Sequence, residues 1–169
     1  MNARSVTNRV VFACMFMLCV GSTGVLRAGD APPRNAVFNG DFTEGVAAWG
    51  RLGPGYETAQ LTVEKQQFAH VLINELVIAS PQMQRTFTIY STYLLSVRQD
   101  RAYTMAVQAS GVGQFSFGAF EYDEDGHHIG NNYSPRYVLG DEMKTYTFTY
   151  QPTPNARGIR PSIVFLEPT

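Results

Sequence analysis

The chain has 169 residues, 44% of them hydrophobic and 12% aromatic, with 13 basic and 14 acidic side chains and a formal charge of −1. That length suits one domain able to bury its own core. The charge provides no basic footprint for nucleic acid.

Residues 1–28 read as a signal peptide. Arg4 and Arg9 form a positive start without an acidic residue, residues 10–20 are an unbroken apolar run, and small residues lead out to Ala28. The run is shorter than the ~20 residues that span a bilayer. Leu18 before Cys19 speaks against a lipoprotein. The expectation is a secreted or periplasmic domain with no membrane contact once the leader is removed; an uncleaved N-terminal anchor is the other reading. Residues 1–28 are then expected to lie outside the fold. Cys14 and Cys19 leave with them, so no disulfide or thiol chemistry remains. Arg4, Arg9 and Arg27 leave too and no acid does, which moves the charge from −1 to −4. A polymeric partner would then be neutral or basic. Residues 29–36, with Pro32-Pro33, read as a linker, and residues 37–169 as the domain.

The domain opens on Asn39-Gly40-Asp41-Phe42-Thr43-Glu44-Gly45, followed by Trp49, the single tryptophan. Asn-Gly and Asp tolerate positive φ and form turns, so Phe42 reads as an apolar pin between turns. Strands are predicted at 58–63, 69–74 and 83–89. Beyond Gln99-Asp100-Arg101, Tyr103, Met105, Val107 and Ala109 alternate with polar or small residues, as strands do. Phe115, Phe117, Ala119 and Glu121 alternate with Ser116, Gly118, Phe120 and Tyr122. Asp123-Glu124-Asp125-Gly126 then turns the chain toward a strand near His128. Tyr146, Phe148 and Tyr150 alternate with threonines, residues 151–158 form a Pro-containing loop, and Ile163 and Phe165 mark a last strand. Sustained helical spacing is absent. The economical solution is an all-β, two-sheet antiparallel sandwich.

Five segments, in order, carry a resemblance: Met83-Gln84-Arg85-Thr86-Phe87, Tyr103-Thr104-Met105-Ala106-Val107, Phe120-Glu121-Tyr122-Asp123-Glu124-Asp125-Gly126, Lys144-Thr145-Tyr146-Thr147-Phe148-Thr149, and the apolar strand 159–166. Together with the Asn39–Trp49 opening, they resemble the secreted carbohydrate-binding modules attached to cellulases and xylanases, jelly rolls of the galactose-binding-like class. The resemblance implies non-catalytic binding of a polysaccharide or oligosaccharide by a monomer, with no cofactor required. It also admits a structural Ca²⁺ near the N-terminal segment, with Asp41 or Glu44 as a ligand. Two features depart from the family: it continues into a further strand carrying an Asp, which implies either a fragment, such as an accessory module of a glycoside hydrolase, or an open or differently covered final edge here, and Thr43 intervenes before Glu44.

Sugars are held by aromatic faces, with amides and charged groups fixing the hydroxyls. The candidates are Trp49 and the turn tyrosines Tyr56, Tyr90, Tyr93, Tyr133 and Tyr137, with Asn131 and Arg136 in the same loop as the last two. Gln84 and Gln108 are candidates from the polar faces of their strands. The alternative for the tyrosines is coverage of sheet edges with hydroxyls in water. His127-His128 reads as a solvated turn end without the ligand set of a zinc site. Catalysis is disfavoured: a glycosidase needs two carboxylates across a cleft, and only Glu75 and Glu121 fall in shielded settings. The second functional reading is a structural or adhesive extracellular sandwich without a sugar site.

Overall fold

The computed structural model describes residues 8–13, 17–20, 36–37, 40–53, 60–68, 71–80 and 86–166. Among the described residues there is no helix; there are thirteen strands. They are β1 (Asn8–Ala13), β2 (Met17–Val20), β3 (Trp49–Leu52), β4 (Gln60–Phe68), β5 (Val71–Ser80), β6 (Phe87–Ser91), β7 (Leu95–Ser96), β8 (Tyr103–Gly111), β9 (Gln114–Tyr122), β10 (His128–Tyr133), β11 (Tyr137–Val138), β12 (Lys144–Tyr150) and β13 (Gly158–Leu166). Sheet 1 runs β12-β8-β1-β5-β4, with β2 also on β8; sheet 2 runs β10-β9-β13-β6-β3, with β11 on β9 and β7 on β13. Every pairing is antiparallel. The molecule is the two-sheet antiparallel β-sandwich that the alternation predicts.

Alternation sets the faces. In β8, Tyr103, Met105, Val107 and Ala109 are buried while Thr104 and Gln108 are exposed. In sheet 2, Phe115, Phe117, Ala119, Ile159, Ile163, Phe165, Phe87 and Ile89 turn inward to the shared core. The sheets meet through edge-to-face rings: Phe115 with Tyr146 at 5.0 Å and Phe117 with Phe148 at 6.3 Å, a favoured aromatic geometry. Phe42 pins the opening turn as expected. It is fully buried against Trp49, 5.4 Å between ring centroids, and holds a left-handed φ of 53°. Such a conformation costs on the order of 1–3 kcal/mol, which ring burial of ~2–3 kcal/mol offsets.

The structure departs from the expected strand bounds and adds N-terminal strands. The predicted strands 58–63 and 69–74 are longer and shifted, as β4 and β5, because a ten-residue strand pairs along its whole length. Of the predicted strand 83–89, residues 83–85 lie outside the described residues, and the described part is strand from Phe87. Residues 8–13 and 17–20, expected outside the fold, are strands in the full-length chain. β1 pairs with β5 and with β8 at Ser110 and Gly111, and β2 pairs with Tyr103–Ala106 of β8; an extended segment satisfies the unpaired backbone groups of a strand edge. The last described strand is also no open edge, since β13 lies between β9 and the β6/β7 pair. Pro161 is tolerated in this interior strand because it falls between the stretches that pair with β7 (Gly158, Ile159) and β6 (Ser162 to Phe165).

Candidate binding face on the outside of sheet 2

The residues of β9 and β13 that do not enter the core form the outer face of sheet 2, and register orders them into rows. Gly50, Tyr90, Ser162, Gly118 and Tyr133 make one row; Arg160, Phe120 and Asn131 make the next; Tyr122 and His128 follow. The first row has small residues between two tyrosines. A side chain at Gly50 would meet the Tyr90 ring at 2.5 Å, and one at Gly118 would collide with the Asn132 carbonyl oxygen. The Tyr90 ring therefore lies over Gly50, and at Gly118 the β10 backbone comes close to β9. The hydroxyls of Tyr133 and the fully buried Ser162 hydrogen-bond at 3.1 Å, and burial pushes the Tyr133 phenol above its ordinary pKa.

Phe120 is the hub. Its ring meets Tyr90 at 5.6 Å, His128 at 5.8 Å and Tyr133 at 6.4 Å, all edge-on. His128 reaches this face because β10 carries a bulge between His128 and Gly130. One extra residue brings positions 128 and 131 to the same side, where His128 Nε2 and Asn131 Oδ1 lie 2.9 Å apart. Leu52, Tyr90, Phe120, Tyr122, His128 and Arg160 enclose a concavity of 190 Å³. Arg160 lies over the Tyr122 ring, 5.1 Å from its centroid, and its buried Nε has no hydrogen-bond partner. Aromatic walls with one donor fork can take the apolar face of a small polar ring and hydrogen-bond its substituents. Two larger hollows, of 290 and 280 Å³, have no aromatic ring among the described residues of their walls. The first is lined by Arg98 and Asp100, which pair at 2.9 Å.

The predicted site residues divide. Asn131, Tyr133 and Tyr90 come together on this face. Trp49 does not: it is 8% exposed and packs on Phe42, so it is a core residue rather than a platform. Tyr137 turns inward, stacking on Phe117 at 5.7 Å and donating its hydroxyl to the Thr147 carbonyl at 3.0 Å, so it braces the two sheets. Arg136 is exposed in the loop between Tyr133 and Tyr137. Gln108 lies on the outer face of the other sheet, where it donates to Thr145 Oγ1 at 3.3 Å. Tyr93 is exposed beyond β6. Tyr56 and Gln84 lie outside the described residues. Phe120, Tyr122, His128 and Arg160 were not among the predicted site residues.

For the metal candidates, Asp41 Oδ1 accepts from the Thr43 amide at 3.3 Å and hydroxyl at 3.1 Å, closing its own turn. Glu44 is exposed. Neither belongs to a group of three close ligand residues; among the described residues that arrangement is found at Asp123, Asp125 and His127. There Asp123 Oδ1 accepts the amides of Asp125 at 3.0 Å and His127 at 2.8 Å, so the carboxylate organises a hairpin turn. Glu121 is buried on the inner face. It accepts the Tyr150 hydroxyl at 2.6 Å, the Thr153 hydroxyl at 2.6 Å and the Thr153 amide at 3.2 Å. Burial and this carboxylate push the Tyr150 phenol far up.

No family model matches the chain, and no curated protein does. One similar solved structure is the enzymatically active domain of tailspike protein 4 of bacteriophage CBA120. The likeness has a TM-score of 0.65 at 12% identity and covers 79% of this chain and 19% of that one. At that identity it supports the all-β fold. The chain spans about a fifth of the tailspike domain's length.

Proposed function

We propose that this β-sandwich binds a glycan without cleaving it, on the outer face of sheet 2. The observation that carries the reading is the concavity walled by Tyr90, Phe120 and Tyr122 with Arg160 beside them, all on paired strands. Aromatic rings take the apolar face of a pyranose, and the Arg160 fork and the Asn131 amide supply hydrogen bonds to its hydroxyls. The volume of 190 Å³ is below the ~300–1,000 Å³ of drug-sized pockets, which favours a groove gripping one ring of a longer chain. Cleavage is disfavoured because no carboxylate among the described residues lines the concavity and Glu121, committed to Tyr150 and Thr153, faces the core. The resemblance to galactose-binding-like modules and export through the N-terminal segment belong to the same reading.

The test is a glycan array probed with the wild-type protein, Phe120→Ala and Trp49→Ala. Binding that Phe120→Ala abolishes, and that the folded fraction of Trp49→Ala keeps, is the expected result. Silence from a folded wild-type protein overturns the reading in favour of a structural module.

A further inference from the structure

Resting on the glycan-binding reading, we propose that this face selects a sugar ring carrying an acidic group, a carboxylate or a sulfate, within an otherwise neutral glycan, and that Arg160 is the residue that reads it. Arg160 differs from Arg98 and Arg157. Arg98 is held by Asp100 through two hydrogen bonds, at 3.1 and 2.9 Å, and Arg157 donates to the carbonyls of Pro154 and Ala156. Among the described residues no carboxylate pairs with Arg160. Its Nε is shut off from water with no acceptor, and its guanidinium is parked over an aromatic ring. A buried donor without an acceptor costs stability, and a flat fork of N–H groups matches an acidic group in two-point geometry.

Position strengthens the case. Arg160 is the direct cross-strand partner of Phe120, and such partners hold their Cβ atoms about 4.5–5.5 Å apart. A ring resting on Phe120 therefore brings its acidic substituent within reach of the guanidinium. Among the described residues the wall contains no acid to oppose that group. The whole chain is nonetheless net negative. One acidic ring in a neutral chain needs the one local cation, whereas a densely charged polyanion needs a run of them, and the acids of the chain outnumber its bases by 14 to 13. That contrast narrows the ligand from acidic polymers to sparsely acidic ones.

The experiment uses matched oligosaccharides that contain a single glucuronate or galacturonate on a neutral backbone, the same oligosaccharides after reduction of the carboxyl group, and singly sulfated counterparts. The expected result is about 10-fold or more tighter binding of an acidic form than of its neutral partner, the scale of one charge-assisted contact. Arg160→Gln should bring the two forms to parity, and Arg160→Lys should restore part of the difference. Equal binding of acidic and neutral forms by the wild type overturns the selection and leaves glycan binding standing. No binding of any form by the folded protein overturns both. An independent readout is the Arg160 Nε–H resonance, which should shift with sodium glucuronate and not with glucose; an unmoved resonance also counts against the proposal.

Discussion

Phe120 and Trp49 exchange the roles that their side chains suggest. A lone tryptophan after a turn invites a reading as an exposed indole, and a phenylalanine in an apolar strand invites a reading as core. Trp49 instead closes the core beside Phe42, and Phe120 stands on the outer face among Tyr90, His128 and Tyr133. Trp49→Ala should therefore cost about 3–5 kcal/mol, the range for aromatic truncation in a core, measured by urea denaturation. Phe120→Ala should cost the fold far less while removing ligand binding. The sequence made the alternation of the strand 115–122 plain but could not say which face was which, because both carry rings. Arg160 was hidden for a different reason. Its want of an acceptor depends on which strands become its neighbours, and no local pattern reports that.

At the level of strands, the site depends on where chains pass closely. Gly50 lets the Tyr90 ring lie across β3, and only the ring has to give way if a methyl is added there. Gly50→Ala should leave the melting temperature close to wild type and weaken glycan binding, which isothermal titration separates. At Gly118 the colliding atoms are backbone, so Gly118→Ala should disturb the β9–β10 pairing itself. The hairpin after β9 carries its own pH dependence. The His127 amide, a hydrogen-bond donor, holds the Asp123 carboxyl below its ordinary 3.8. A carboxylate whose folded pKa is depressed supports the turn fully above 3.8 and loses that support as pH falls through the lower folded value. Amide exchange in residues 123–127 should accelerate over that window, and Asp123→Asn should remove the acid-side change. The hairpin itself was readable from Asp-Glu-Asp-Gly. The bulge that follows was not, because it arises from pairing against β9 rather than from any turn residue.

Across the molecule, the two sheets differ in what they depend on. Sheet 2 is built entirely from residues beyond 48, whereas sheet 1 includes β1 and β2 from the segment read as a leader. If export removes residues 1–28, β5 and β8 lose the neighbour they share, while every pairing in sheet 2 persists. Intact mass of the protein recovered from culture medium should place its first residue at Gly29. Hydrogen exchange on that form should show stronger protection in β9, β13 and β6 than in β5 and β8. A secreted form that still carries residues 8–20 would show that these strands are permanent members of the fold. The all-β architecture was readable because alternation over strands such as β8, β9 and β12 needs no tertiary information. The order of the strands depends on distant edges meeting and had to come from the structure.

The strict two-residue repeat of β9 has one more consequence. Phe115, Phe117, Ala119 and Glu121 answer to the core, while Phe120 and Tyr122 answer to whatever lies outside. Because Phe120 and Tyr122, with Arg160 beside them, lie outside the buried core cluster, they can be exchanged with less disturbance to folding than the inward residues. The domain thus behaves as a chassis with a replaceable faceplate, and randomising those three positions is a direct route to retargeting it toward other ligands.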